Sequence, residues 1–168
     1  CNGIWIQGLW KEGTWVNGTW NAYPIQDFYY YVSYTTSTNN LLSTWESGIW
    51  INGTWTGGIA DNITWINGTV TGGILKDGTW ADGTFIDGII KHIIWETGTF
   101  NGGDFETGIW KSGILSELDP TVPARFGIGA DVTTGNYKDR AIWLSGTFDS
   151  GQFHSGDNTA HNGSIFYG

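Results

Sequence analysis

The chain has 168 residues, with 27 glycines, 12 tryptophans and a formal charge of −9. The negative charge argues against nucleic acid or an anionic membrane as a partner, because both attract basic surfaces. No apolar run reaches the roughly 18 residues of a membrane span, so we expect no transmembrane segment. A single cysteine cannot form an internal disulfide. Its place at Cys1 is also compatible with the lipid-bearing first residue of a bacterial lipoprotein.

Residues 1–20 repeat in fives. From Gly3 onward each pentad starts with glycine and has tryptophan third, at Trp5, Trp10, Trp15 and Trp20. A period of five matches neither the 3.6 of a helix nor the 2 of a long strand, but it fits a short strand followed by a corner. Because strand side chains alternate, the first and third positions should share the interior, where glycine leaves room for the third side chain. This segment predicts solenoid coils.

Residues 21–42 break the motif and contain five of the seven tyrosines: Tyr23, Tyr29, Tyr30, Tyr31 and Tyr34. Trp20 and Trp50 are thirty residues apart, which corresponds to two coils of fifteen, so one interpretation is a pair of degenerate coils. A second is a Tyr-rich hairpin for subunit contact, since tyrosine is enriched at interfaces. A platform that stacks against sugars is the third.

Residues 43–117 form the regular solenoid. A second period of fifteen appears here, because Trp50-Ile-Asn-Gly-Thr recurs as Trp65-Ile-Asn-Gly-Thr. Three pentads per coil predict an all-β, single-chain β-solenoid with three sides. About eleven coils, roughly 4.8 Å apart, would give a rod on the order of 50 Å long. The predicted core ladder is Trp50, Trp65, Trp80, Trp95 and Trp110.

Residues 118–140 shift the frame and hold two of the three prolines, which predicts a loop insertion. Its basic residues, Arg125, Lys138 and Arg140, are candidates for contact with an acidic neighbouring subunit, although a plain surface loop is the simpler interpretation. Residues 141–168 resume the repeat, with Trp143 in the shifted frame, and predict terminal solenoid coils.

The sequence gives no sign of catalysis. It has no HExxH motif, cysteine cluster or Gly-x-Ser-x-Gly motif, so we expect no catalytic site, metal or cofactor. Five sequons occur, at Asn17, Asn52, Asn62, Asn67 and Asn162. They would accept glycans in a secreted eukaryotic protein. A corner asparagine followed by Gly-Thr also generates such sequons automatically.

The Gly-Thr-Trp-x-Asn pentads resemble the Gly/Trp pentad arrays of uncharacterised virion and tail-fibre proteins of phages and of bacterial surface proteins. More distantly they resemble the pentapeptide-repeat family, a four-sided β-helix from which this chain departs in its large tryptophans and in its period of fifteen. The closer resemblance covers about two thirds of the chain. It implies an extracellular or virion location.

The leading hypothesis is a non-enzymatic shaft or fibril subunit whose partners are copies of itself. The alternative is a binding module, with three forms. A glycan-binding rod would use exposed aromatic side chains, and a DNA-mimicking interactor would need an ordered acidic stripe. An ice-binding solenoid would use the Thr-x-Thr pairs at Thr54–Thr56 and Thr69–Thr71.

Overall fold

A computed structural model describes residues 2–6, 8–21, 43–127, 141–153 and 164–166. Every regular element in these ranges is a β-strand of two to four residues. The strands form three sheets, each with eight strands that all pair in parallel. We name them sheets A, B and C, in the order in which the chain visits them.

Consecutive strands in the chain belong to different sheets, so the numbering within a sheet advances by three. Sheet A contains β1 (Asn2–Trp5), β4 (Asn17–Trp20), β7 (Thr54–Trp55), β10 (Thr69–Val70), β13 (Thr84–Phe85), β16 (Thr99–Phe100), β19 (Ile114–Leu115) and β22 (Thr147–Phe148). Sheet B contains β2 (Leu9–Trp10), β5 (Thr44–Trp45), β8 (Ile59–Ala60), β11 (Ile74–Leu75), β14 (Ile89–Ile90), β17 (Gly103–Phe105), β20 (Ala124–Phe126) and β23 (Gln152–Phe153). Sheet C contains β3 (Thr14–Trp15), β6 (Gly48–Trp50), β9 (Ile63–Trp65), β12 (Gly78–Trp80), β15 (Ile93–Trp95), β18 (Gly108–Trp110), β21 (Ala141–Trp143) and β24 (Ser164–Phe166).

Three consecutive strands, one from each sheet, make one coil of the solenoid. In the regular region paired residues are fifteen apart, as for Thr69 with Thr84 and Trp80 with Trp95. The predicted three-sided β-solenoid is therefore confirmed. The described residues form eight coils, from β1–β3 to β22–β24, and not the eleven expected from chain length. Eight coils at about 4.8 Å per coil make a rod about 40 Å long.

The third residue of each pentad points inward and forms one column per sheet. The predicted ladder of Trp50, Trp65, Trp80, Trp95 and Trp110 lies in sheet C, where each ring stacks on the next. The centroids of Trp80 and Trp95 are 4.6 Å apart, with 5° between the planes. Rings of neighbouring sheets meet edge to face, as Trp95 and Phe100 do at 6.0 Å and 77°. Both geometries are favourable, by roughly 0.5–1.5 kcal/mol per pair beyond burial.

The first-position glycines shape the corners. Gly68 has a φ of +127°, and a Cβ there would lie 3.1 Å from Cζ2 of Trp65 and would collide with the carbonyl oxygen of Gly53. Glycine tolerates both the positive φ and the close approach. The ring that needs the space belongs to the preceding pentad, whereas we expected it to be the third residue of the same pentad. The glycine thus lets the chain turn and lets the previous ring fill the corner.

Two coils have isoleucine in place of this glycine, and both do so after a non-aromatic inward residue. Ile63 follows Ala60, and Ile93 follows Ile90; both isoleucines are fully buried. Side-chain volume is thereby moved from the third position of one pentad to the first position of the next, which keeps the corner filled. At the second of these corners His92 has a φ of +56° and is the one non-glycine residue with positive φ in the described ranges.

Residues 21–42 add no coil to the rod. Trp10 pairs with Trp45 and Trp20 with Trp55, so the strands before and after this segment are direct neighbours. This pairing leaves no place for two degenerate coils between them, and that interpretation does not hold. In the chain this segment connects β4 of sheet A to β5 of sheet B. Residues 22–42, including the tyrosines proposed as a hairpin or platform, lie outside the described residues.

Residues 118–140 are only partly an insertion. Strand β20 lies within this segment, and its Phe126 pairs with Phe105 and stacks on it at 4.9 Å. Successive strands are therefore further apart than usual at two corners: between β19 and β20, where sheets A and B meet, and between β20 and β21, where sheets B and C meet. The prediction of one continuous loop was wrong because the Ala-Arg-Phe strand carries neither glycine nor tryptophan to mark it as a pentad.

Candidate interaction surfaces

The residues on either side of each inward residue point outward, because strand side chains alternate. Each sheet therefore presents an outer face with two columns of side chains, one before and one after the inward column. We name these surfaces face A, face B and face C after their sheets. The three faces differ in chemistry, and the difference identifies the candidate functional surfaces.

Face B is the charged face. In the column that follows its inward residues, Lys76 Nζ lies 3.1 Å from Asp61 Oδ1 and Lys91 Nζ lies 2.9 Å from Glu106 Oε2. Each ion pair joins two adjacent coils, and each is exposed enough to contribute at most about 1 kcal/mol. Since this column contains three lysines beside three carboxylates, it is not the acidic stripe that a DNA mimic would need.

Arg125, a predicted interface residue, is engaged within its own chain. Its Nε donates to Asp104 Oδ1 at 2.6 Å and its Nη2 to Oδ2 at 2.8 Å. The carboxylate is mostly buried, with 16% of the Asp104 side chain exposed. A two-bond pair of this kind fixes geometry as well as charge. The arginine therefore joins coil 7 to coil 6, across the corner insertion of residues 116–123.

A groove of about 560 Å³ follows the corner between sheets B and C. Its lining includes Asp61, Asp77 and His92 together with Ile94 and Ile109. His92 Nδ1 lies 3.6 Å from Asp77 Oδ1, and the His92 backbone N–H donates to Thr107 Oγ1 at 2.9 Å. These contacts link adjacent coils at the left-handed corner, so the polar groups of the groove have a structural role.

The short insertion at 116–123 carries an exposed carboxylate, Asp119. The Thr121 hydroxyl donates to its Oδ1 at 2.7 Å, and the Thr121 backbone N–H donates to the same oxygen at 2.8 Å. These two hydrogen bonds hold the pKa of Asp119 below its usual value, and the bond from the Thr121 hydroxyl has the larger effect. The arrangement is a local turn and explains this carboxylate without a catalytic role.

Three predicted glycan acceptors, Asn17, Asn52 and Asn67, are exposed on neighbouring coils at the corner between sheets C and A. Asn67 Oδ1 accepts the Gly68 N–H at 2.7 Å, and Asp82 makes the same contact with Gly83 one coil further on. The shared contact supports a structural role for the corner residue. Asn62 is exposed at the corner between sheets B and C, and Asn162 lies outside the described residues.

Face A carries a column of hydroxyl groups. Successive pairings place one threonine on each of five consecutive coils: Thr19, Thr54, Thr69, Thr84 and Thr99. The next column is less regular, because Thr56 and Thr71 are followed by isoleucine and asparagine. The Thr56 hydroxyl donates to the Trp20 carbonyl at 3.0 Å, within its own chain. Face A is thus a flat, nearly uncharged surface.

Face C is the apolar face. Its exposed aliphatic side chains are each between 37% and 43% accessible: Val16, Ile49, Ile51, Ile66, Ile94 and Leu144. Its two columns contain one charged pair, Glu96 and Lys111, whose carboxylate and ammonium groups are 2.8 Å apart. The sequence analysis missed this surface, although isoleucine on both sides of Trp50 was a visible signal.

Other predicted site residues are outside the described part of the chain: Tyr23, Tyr29, Tyr30, Tyr31, Tyr34, Lys138 and Arg140. Among the residues that the structure covers, no group of three or more His, Cys, Asp or Glu side chains could hold a metal ion. Within the same ranges no helix is long and apolar enough to cross a membrane. Of the described tryptophans, Trp5 and Trp10 are half-buried and the others are fully buried.

The chain matches no protein-family model, no curated protein and no solved structure. The resemblance to Gly/Trp pentad arrays and to the pentapeptide-repeat family is therefore neither supported nor contradicted. The fold assignment rests on the three parallel sheets themselves.

Proposed function

We propose that this chain is a structural, non-enzymatic subunit of a fibre, located outside the cell or in a virion, that assembles with copies of itself. The continuity of the three sheets carries this proposal. Each sheet runs through all eight coils, and the corner insertions leave the strand pairing intact. A load-bearing shaft needs this kind of uninterrupted connection along one axis.

Stiffness follows from the way coils are joined. Each coil is hydrogen-bonded to the next on three sides, as by Thr84 N to the Gly68 carbonyl at 2.9 Å in sheet A. Ion pairs such as Lys111 with Glu96 add links across the same coil boundaries. Bending the rod would lengthen these bonds on one side and compress stacked rings on another. These hydrogen bonds and ion pairs therefore hold neighbouring coils together.

We propose end-to-end contact as one form of this assembly. In the described residues β1, β2 and β3 are the outermost strands of their sheets, and Trp5 and Trp10 are only half-buried there. The edge of a sheet is a place where a further strand can pair. The proposed location rests on the resemblance to virion and surface proteins alone.

Electron microscopy of the purified chain tests the proposal, compared with a variant lacking residues 1–15. We expect filaments or paired rods from the full chain, and loss of end-to-end growth when coil 1 is removed. Isolated single rods at all protein concentrations would contradict self-assembly. Filaments of unchanged length from the shortened variant would exclude coil 1 as the joint.

The threonine column of face A favours a second candidate function, a module that binds a neutral polyhydroxyl surface such as a glycan or ice. Hydroxyl groups repeated at the coil spacing suit a partner that is itself periodic. A glycan-binding rod that uses exposed aromatic side chains gains little support, because most of the described tryptophans are buried. A glycan array and an ice-recrystallisation assay, each with Thr69→Lys as control, separate this function from a structural one. Loss of binding in the variant would favour it.

A further inference from the structure

Face C stands out among the three surfaces by its apolar content over the whole rod. Ile49, Ile51 and Ile66 lie together on coils 2 and 3, and Ile94 and Leu144 continue the face towards coil 7. Each exposes about two fifths of its surface. Contiguous apolar patches on a protein surface commonly mark interaction sites.

The charge on face C suits a partner identical to the chain itself. Two copies of a protein with a formal charge of −9 repel each other unless they meet through a surface without net charge. Among the described residues, the outward columns of face C carry two charged side chains, Glu96 and Lys111, which form an ion pair and cancel. The described columns of face B hold four basic and four acidic side chains, which also balance, but Leu9 is their one exposed large aliphatic residue. Face A ends in Asp149 without a basic residue in its described columns. Face C is therefore the face that combines several exposed aliphatic side chains with no net charge, so a second copy can meet it without repulsion.

The described corners beside face C are regular on most coils of the rod. The longer connections that follow Trp20 and Leu115 both lie at the corner between sheets A and B. In a triangular section this corner lies opposite face C. On coils 1 to 6 the corners on both sides of sheet C follow the regular five-residue spacing, so the edges of the face are smooth.

We infer that face C is the surface through which two copies of this chain associate side by side, an inference that rests on the proposed self-assembling function. Seven strands about 4.8 Å apart and three residues wide make a patch of roughly 30 by 10 Å. This is smaller than the roughly 800 Å² per partner of a standard interface. The expected association is weak, in the micromolar range, and becomes strong only where many copies are aligned in a fibre.

Sedimentation velocity of the full chain at several protein concentrations tests the inference. Ile66→Lys places a charge on face C, and Ile86→Lys is its matched control on face A. Both isoleucines follow an inward residue and both are 41% exposed, so the two variants disturb the fold equally. Circular dichroism of both variants checks that each retains the fold to the same extent. We expect Ile66→Lys to raise the dissociation constant of the dimer at least tenfold and Ile86→Lys to change it less than twofold.

Each other outcome overturns the inference in a different way. Association that both variants leave unchanged would show that copies meet elsewhere, for instance end to end, and would leave the proposed function standing. Equal loss in both variants would indicate a nonspecific effect of charge. A chain that is monomeric at every concentration would exclude a second copy as the occupant of face C, and would also count against self-assembly. Binding of that monomer to phosphatidylcholine vesicles, lost in Ile66→Lys, would assign the face to a lipid surface instead.

Discussion

The corner shared by Ala60 and Ile63 tests whether neighbouring pentads exchange side-chain volume. Replacing Ile63 by Gly empties a site whose side chain is fully buried. Replacing Ala60 by Trp places an indole into the same corner while isoleucine still occupies it. The double variant A60W/I63G combines an inward ring with a following first-position glycine, as Trp65 and Gly68 do, at a corner where Ile63 does not have the positive φ of Gly68. The two changes should therefore compensate each other.

The expected magnitudes follow from burial and stacking. Ile63→Gly should cost about 3–5 kcal/mol, since buried large-to-small changes cost about 2–5 and glycine adds up to about 1. Ala60→Trp overpacks the corner and should lower the free energy of unfolding by about 1–3 kcal/mol or more. In the double variant the new ring lies between Trp45 and Leu75 in the column of sheet B, and stability should return to within about 1 kcal/mol of wild type. The coupling energy would be at least about 3 kcal/mol, at the top of the range for contacting residues.

Urea unfolding followed by far-UV circular dichroism measures this cycle. Tryptophan fluorescence is unsuitable because the substitution adds an indole. Coils of a repeat protein can unfold in stages, so the four proteins must share one m-value before their free energies are compared. A double variant as unstable as the sum of the single variants would refute the volume exchange. The pair Ile90 and Ile93 offers an independent repeat of the experiment.

Four further outcomes are expected. Trp80→Ala should lower the free energy of unfolding by about 3–5 kcal/mol. Trp80→Phe should lower it by less than about 1.5, since it keeps the stack and removes an indole N–H that has no acceptor; thermal denaturation of both variants checks this. Arg125→Met should lower the free energy of unfolding in urea by about 1–2 kcal/mol, because it leaves the mostly buried Asp104 carboxylate without its two donors, and Asp104→Asn should recover part of the loss. Thr121→Val should raise the pKa of Asp119 in an NMR titration. Because the folded pKa is the lower one, the stabilising effect of this turn is present above the unfolded pKa and is lost as the pH falls through the folded value. Deleting residues 23–42 restores five-residue spacing between Trp20 and Trp45, so the coil should persist in circular dichroism and gain roughly 1 kcal/mol from the shorter loop.

The three-sided cross-section could be predicted from the sequence because the spacing of the tryptophans equals the length of one coil. Trp50 and Trp65 recur at fifteen residues for a physical reason, namely that each ring must stack on the ring one coil below. The alternation of strand side chains then decides which residues are inside. The corner rule was harder to find, because Gly68 serves the ring of Trp65 and not that of its own pentad. Only the geometry of the turn reveals which neighbour occupies the space.

The insertions escaped prediction because spacing along the chain does not determine which strands pair. Trp20 lies thirty residues before Trp50, which fits two coils by number, yet it pairs with Trp55 across an insertion. A loop that closes on itself costs little and can have any length, so it shifts the frame without disturbing the sheets. Strand β20 was missed because its residue types hid a pentad. Ala124 takes the position usually held by glycine, and Phe126 the position often held by tryptophan.

Local coupling explains how one chain can combine a strict core with irregular insertions. The pairing of Leu115 with Phe148 holds sheet A together although two insertions separate these residues in the chain. Each coil contacts only its neighbours, so an insertion at one corner changes the contacts between adjacent coils and not those of the whole rod. Arg125 joins coils 6 and 7 beside the first of these insertions, where the regular corner is missing. The apolar surface of face C therefore keeps its regular spacing from coil 1 to coil 6.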